Sequence, residues 1–215
     1  MKQMKRSRRN YKKKPKGFLQ KALPVAQKAL KVAKFVAGVI NVEYKWLQVG
    51  SSSTVGTWNG TLVTLNSCNQ GSGASQRNGD TMKMKSLVIR GEFERNTLGV
   101  TSEVCRLIIF IDKDNTITSG SQLLNNYGSN AVVYSQKNED TKFDSKIIYD
   151  KTFVVNDQSF KQIRFNIYKK VGWHTHYTAG TSTIAHNALK MAFFTQTPSN
   201  GAKITYQSRL SFVDN

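Results

Sequence analysis

The chain has little of what most catalysts, secreted scaffolds and membrane proteins require. Its 215 residues include two cysteines, Cys68 and Cys105. Two thiols make neither a disulfide framework nor a zinc cluster, so both are expected as buried thiols in a reducing compartment. No segment approaches the roughly 18 consecutive apolar residues of a helical membrane span. A secretory leader is not expected: its basic stretch would run to Lys34, and the apolar run that follows, FVAGVI, is six residues long. The sequon Asn59-Gly60-Thr61 is accordingly read as a chance occurrence. The phosphate-cradling GxxxxGK[ST] loop, the GxSxG elbow and the HExxH metal motif are all missing.

Acidic residues are also scarce, and their distribution is uneven. The chain holds 32 Lys+Arg against 13 Asp+Glu, a formal net charge of +19, which makes a polyanion the natural partner. Residues 1–42 carry thirteen of the basic residues and no acid; the first acid is Glu43. Residues 43–215 carry the other 19 basic and all 13 acidic residues, a balance of +6. The excess charge therefore sits mostly in the first fifth of the chain. The candidate polyanion contacts there are Lys2, Lys5, Arg6, Arg8, Arg9, Lys12, Lys13, Lys14, Lys16, Lys21, Lys28, Lys31 and Lys34.

Length and a 39% hydrophobic content allow one ordinary domain with an appendage, or two small domains. Three zones emerge. Residues 1–17 have nothing to bury and read as a disordered basic arm. Over residues 18–41, Leu19, Leu23, Ala26, Leu30, Ala33 and Ala37 recur at helical spacing with lysines between them, which predicts a short basic amphipathic helix. Pro24 suits the start of such a helix, and Gly38 lies near its end. Its exposed face fits nucleic acid or a partner subunit; packing on the body and membrane contact are the alternatives.

Residues 42–215 read as β structure. Ile204, Tyr206, Ser208, Leu210 and Phe212 alternate with Thr205, Gln207, Arg209 and Ser211; Ile163, Phe165 and Ile167 alternate with polar residues. VCRLIIFI (104–111) is apolar on both faces and reads as a central strand. Further runs at 42–49, 58–66, 81–95, 145–154 and 188–196 bring the total to eight, separated by loops rich in Gly, Ser, Asn and Thr. No helical pattern alternates with them, which excludes a parallel α/β fold. The expectation is an all-β, single eight-stranded antiparallel jelly-roll sandwich over 42–215, carrying the arm and the helix.

Few constellations could carry chemistry. His174 and His176 lie at i and i+2 on one strand face, and Tyr134-Ser135-Gln136-Lys137 has the YxxK spacing of rolling-circle nucleases. Those nucleases place the paired His before the Tyr, the reverse of the order here, and no carboxylate stands beside the pair. A structural or interfacial role is the reading adopted, with no catalytic residue assigned. Asp112, Asp114 and Asn115 after the strongest strand, with Glu139, Asp140 and Asp144 in a later loop, form the one candidate Ca²⁺ site; Lys113 sits inside the first cluster and the two clusters need not meet, so solvated loop charge is preferred and no cofactor is expected. On the body, Lys83 and Lys85 share one strand face. Arg77, Arg90, Arg95, Lys161, Arg164, Lys169, Lys170 and Arg209 are candidates for a basic surface, with Trp46 and Trp58 able to stack bases. For each, packing or pairing with an acid is the plainer role.

RNGDTMKMKSLVIRGEF (77–93), RLIIFIDKDN (106–115), NIYKKVGWHTHY (166–177), NALKMAFFTQT (187–197) and ITYQSRLSFVDN (204–215) resemble, in this order, the strands of coat proteins from circular, Rep-encoding single-stranded DNA viruses. The arm departs from that pattern in being Lys-rich and followed by a helix, a layout similar to the coat proteins of satellite tobacco necrosis virus and its relatives. The resemblance implies a non-enzymatic shell protein. About sixty identical copies would close an icosahedral shell with the arms inside, in the virion and, during assembly, the host nucleus. The implied partners are other copies of the chain, a viral nucleic acid read as single-stranded DNA, a nuclear import receptor recognising KRSRRNYKKKPK, and a receptor on the cell. The long loops 66–80, 113–131 and 172–187 are expected at the outer surface or at symmetry axes. The alternatives are a nucleic-acid-binding β-sandwich that builds no shell, and a carbohydrate-binding sandwich.

Overall fold

The computed structural model describes residues 28, 30, 31, 43–95, 102–125, 133–141, 143–156, 162–197 and 201–214. The chain divides into two units, Met1–Val42 and Glu43–Asn215. In the first, Lys28, Leu30 and Lys31 are helical and exposed. The arm expected over 1–17 and the rest of the helix expected over 18–41 lie outside the described residues.

In the second unit, alternation of apolar and polar residues builds two antiparallel sheets. The strands are β1 (Tyr44–Val55), β2 (Thr61–Thr64), β3 (Thr81–Glu94), β4 (Ser102–Asp112), β5 (Ser145–Asn156), β6 (Gln162–Lys170), β7 (His174–Tyr177), β8 (Ile184–His186), β9 (Ala188–Thr195) and β10 (Lys203–Asp214). Sheet A has the order β1-β10-β3, with β6 and β7 both pairing with the far side of β3 and β8 pairing with β7; sheet B has the order β2-β9-β4-β5. The pairs nest: β1 with β10, β2 with β9, β3 with β6, and β4 with β5, all antiparallel. A long hairpin rolled over on itself produces this pattern, which is the jelly roll.

All eight expected strands are present. Two more, β7 and β8, lie inside the segment 172–187 expected as a loop, although the i, i+2 spacing of His174 and His176 fits one strand face, and β1 runs past the expected end at residue 49. The physical reason is the length of β3. Its pairing with β6 spans Ser86–Glu94, which leaves Thr81–Lys83 as an open edge, and His174–Thr175–His176 fills that edge. The segment is too polar to announce itself, yet Thr175 and Tyr177 turn inward and are buried. In β1, Ser51–Val55 continue to pair with β10 past an irregularity between Ser51 and Thr54, although GSSSTVG reads as a loop.

The main core lies between the sheets. It includes Leu87, Ile89 and Phe93 of β3, Leu107, Ile109 and Ile111 of β4, and Leu210 and Phe212 of β10. Phe93 is its hub, with ring centroids 4.7 Å from Phe153, 5.0 Å from Phe165 and 5.2 Å from Phe193. Gly91 lets strands and rings close over this hub: a Cβ there would meet Thr205 O at 2.4 Å and the Phe165 ring at 2.7 Å.

A second core covers the other face of sheet B. Ile108 and Phe110 point away from the main core and meet Ile117, Leu123, Leu124, Val133 and Phe194. β4 is thus buried on both faces, as its unbroken apolar run predicts, and all eight residues of β9 are buried too. Most of the cover comes from the β4–β5 connection: Leu123 from the helical turn Gly120–Leu123, and Ile117, Leu124 and Val133 from the residues around it. The part of 113–131 that is described, through residue 125, therefore contributes core side chains, Ile117, Leu123 and Leu124, where a loop at the outer surface or at a symmetry axis was expected.

Two ion pairs fasten this cover. Asp112 is buried and takes Lys190 Nζ at 2.8 Å through Oδ2; its oxygens also accept the backbone N–H groups of Thr116 and Ile117. Lys190 donates again to Ile117 O at 2.7 Å. Arg106 holds Asp150 with two nitrogens, at 2.8 and 2.7 Å, and donates to the carbonyls of Val133 and Ser135. Removing one member of a buried pair strands the other charge in a dry site, at about 3–5 kcal/mol. Lys190→Met is expected to lower stability by about that amount, seen as a lower urea midpoint. A loss under about 1 kcal/mol, the range of an exposed pair, would show that the pair is solvated.

Candidate nucleic-acid interface

Of the thirteen basic residues assigned to nucleic acid from sequence, Lys28 and Lys31 fall within the described residues, both exposed on helical backbone. The other eleven lie outside them. The body candidates can be placed individually, and the fold sorts them into two groups.

The first group is withdrawn from the surface. Arg77, which leads the Arg-x-Gly-Asp stretch, is fully buried. Its guanidinium lies 4.1 Å from the centre of the Tyr177 ring, donates to the carbonyls of Gly79 and Thr181, and pairs with Asp80 at 3.4 Å. It joins the β2–β3 loop to the β7–β8 hairpin; this is the packing and acid-pairing role preferred for it from sequence, and it removes Arg77 from the candidate basic surface. Lys169 points to the inward side of β6, its ammonium 5.5 Å from the Tyr149 ring centre. Trp58 sits half-buried in the β1–β2 turn, apart from the other candidates. Arg95 is half-buried at the end of β3, and Lys161 lies outside the described residues.

The second group is brought together on the outer face of sheet A. Strand alternation sends every second residue there, and the register aligns them. One row across β1, β10, β3 and β6 reads Trp46, Ser211, Ser86, Lys170; the next reads Gln48, Arg209, Val88, Tyr168; the next reads Gly50, Gln207, Arg90, Asn166. Lys83 and Lys85 stand at one end of this face, and Arg164, Glu92, Lys203 and Glu94 at the other. The face holds seven cations and two carboxylates, and Arg164 pairs with Glu92 at 3.6 Å. Tyr44, Trp46 and Tyr168 are 60%, 41% and 60% exposed on it. The Arg209 guanidinium lies 4.8 Å from the Trp46 ring centre, a cation–π contact. Sequence reasoning missed Tyr44 and Tyr168, which only their register with Lys83 and Arg209 places here.

The remaining motifs are kept apart. His174 and His176 point outward from β7 on sheet A, while Tyr134 lies in the segment leading to β5 on sheet B, so the nuclease-like set is not assembled. The rings of His176 and His186 are 6.3 Å apart, and His186 Nδ1 is 3.3 Å from Asp114 Oδ1. Asp112 is committed to Lys190 and to backbone N–H groups, whereas Asp114 faces His186; the two carboxylates do not converge on a Ca²⁺ position. Among the described residues no group of three or more His, Cys, Asp or Glu side chains is arranged to hold a metal.

Cys68 and Cys105 are both free and buried. Burial pushes both thiols above the ordinary value of 9.0, and it raises the Tyr177 hydroxyl above 10.0. That hydroxyl donates to Asn66 O at 2.6 Å.

No family model matches the chain, and no curated protein does. Among solved structures, Desmodium yellow mottle tymovirus is similar with a TM-score of 0.36 and 10% identity, over 80% of this chain and 86% of that one. Cucumber leaf spot virus follows with a TM-score of 0.33 and 12% identity, over 79% of this chain and 56% of that one. The infectious bursal disease virus VP2 subviral particle has a TM-score of 0.26 and 11% identity, over 80% of this chain and 33% of that one.

The raised thiol and phenol values set a pH dependence. The unfolded chain releases these protons near their ordinary values while the fold keeps them, so stability is full below about pH 9 and falls as pH rises above it. Reaction of the native protein with a thiol reagent at pH 8 should be slow at both cysteines and become fast in denaturant. Rapid native labelling of Cys105 would contradict its burial.

Proposed function

We propose that this chain is a coat protein that assembles with copies of itself into a closed shell and packages a nucleic acid. The observation that carries this reading is the separation of charge from a complete jelly roll: thirteen cations precede Glu43 and no acid accompanies them, while the β body is close to balanced at +6. Neither sugar binding nor the folding of the sandwich calls for such a segment. A shell does, because its cargo is a polyanion that must be condensed without regard to sequence, and phosphate contacts are sequence-blind. With about sixty copies in an icosahedral shell, the segments would bring roughly 780 positive charges to the interior. Tyr134, Phe143 and Val154, exposed at and just before β5, supply apolar surface for contacts between copies.

The finer parts of the proposal are that the cargo is single-stranded DNA, that KRSRRNYKKKPK also serves as a nuclear import address, and that the protein moves from host nucleus to virion. Exposure of the arm before assembly and enclosure after it would let one segment serve both uses.

Negative-stain microscopy of the purified full chain is the primary test, and closed particles of uniform diameter are expected. A chain that stays monomeric across salt and pH would defeat the coat reading and favour a nucleic-acid-binding sandwich without a shell. Replacing the nine arm lysines and arginines before Gly17 with Gln should strip co-purifying nucleic acid and flatten the salt dependence of binding, which has a slope of about −0.7 per phosphate neutralised on a single strand. Unchanged nucleic-acid content would remove the arm from packaging. Nuclease digestion of the extracted cargo identifies it as DNA or RNA.

A further inference from the structure

The outer face of sheet A is the second place in this protein where positive charge gathers, and here it is interleaved with exposed rings. Sheet B has apolar cover on its outer face; the outer face of sheet A instead carries cations that the fold leaves uncompensated. Lys83, Lys85, Arg90 and Lys170 are paired with no acid among the described residues. Lys83 and Lys85 share one strand face, and Lys170 is registered on Ser86 beside them. Like charges held this close destabilise a sheet unless an anion sits among them.

The same face exposes three large rings, Tyr44, Trp46 and Tyr168; a path runs from beside Tyr44 and Tyr168, while Trp46 lines a separate hollow with Gln48, Ala74 and Ser75. Shallow hollows of about 430, 270 and 580 Å³ follow one another along β3. The first lies between Tyr44, Lys83 and Tyr168; the second and third share Arg90 and end at Arg164. The four strands make the face about 14 Å wide. Trp46 is engaged by the Arg209 guanidinium, and 41% of the residue stays exposed for a further contact.

We infer that this face binds an unpaired stretch of nucleic acid, its bases stacking on Trp46, Tyr44 and Tyr168 and its phosphates held by Lys83, Lys85, Lys170 and Arg90. This deepens the coat-protein reading by assigning the body its own contact with the cargo. Exposed ring planes reach bases only where these are unstacked, so a single strand fits and a duplex, whose bases stack on one another, does not. The N-terminal segment is excluded as the occupant by charge, since it carries the same sign as the face. Every base offers a stacking face, so the platform would not read sequence.

The test uses the full chain, fluorescence anisotropy, a labelled oligothymidylate of about 20 nucleotides and a duplex of equal length. Trp46→Ala is expected to weaken single-strand binding about 5- to 100-fold while leaving duplex affinity within about twofold. Trp46→Phe, which keeps a ring, should restore most of the loss, and Tyr168→Ala should weaken the single strand in the same selective way. Replacing Lys83, Lys85 and Lys170 with Gln should reduce the salt slope by about 2. Thermal unfolding of each variant reports whether the fold is intact. Unchanged single-strand affinity in folded Trp46→Ala and Tyr168→Ala, or equal loss for strand and duplex, overturns the proposal. Microscopy of the same variants separates the two readings. Normal particles with unchanged strand affinity sink the platform and keep the coat protein; selective loss of affinity in a chain that forms no particles does the reverse.

Discussion

Burial on both faces of sheet B is the constraint from which the rest of the body follows. In a strand, successive side chains point to opposite faces, so an unbroken apolar run such as Leu107–Ile111 demands cover on two sides. One side is met by sheet A. The other has to be met from within the chain, and the β4–β5 connection meets it with Ile117, Leu123, Leu124 and Val133. A connection drawn into a core is no longer free to vary. Its backbone polar groups need partners, and Asp112, Lys190 and Arg106 provide them. Sheet A has only one core to face, so its outward positions are free to carry charge and rings.

This division explains the different fates of the cations. Lys45, Arg77 and Lys190 are buried, each beside a carboxylate. Lys45 spans from β1 to Asp214 of the neighbouring strand β10 at 2.7 Å and to the carbonyl of Gln76 at 3.0 Å, tying this edge of sheet A to the β2–β3 loop. A buried pair adds little net stability over apolar packing, but losing one partner is costly, so such pairs define which loops meet which strands. Lys83, Lys85, Arg90 and Lys170 on the sheet A face pair with no acid among the described residues, and that makes their clustering informative about a ligand.

The proposed roles fit a division of labour between the two units. A charged segment without acids acts at a distance and without geometry, through counterion release. A rigid sheet face acts through position, since its rows are registered by backbone hydrogen bonds and its indole is held by Arg209. A packaged strand needs both: bulk neutralisation along its length, and fixed points where it meets the body.

Much of this was legible in the sequence, because the features concerned are local. Period-two alternation marked β6 and β10, the double-sided apolar run of β4 marked a central strand, five further runs bounded by polar loops completed the eight, and the placement of acids located the basic segment before Glu43. What escaped were properties of pairs distant in the chain. The strand at His174–Tyr177 pairs with β3 because β6 leaves an edge of β3 open; the i, i+2 histidines marked a strand face there, but no local pattern could report which edge it fills. Arg77 and Lys83 look alike as basic residues near a strand start; one is sealed over Tyr177 and the other stands on the open face, and only the approach of the β7–β8 hairpin decides between them. The sequence by itself determined how much charge and apolar surface the chain has and at what spacing. The tertiary structure alone decided which charges are neutralised inside and which rings share a face outside, because burial and register are set by contacts between segments over a hundred residues apart, such as Arg77 with Thr181 and Trp46 with Arg209.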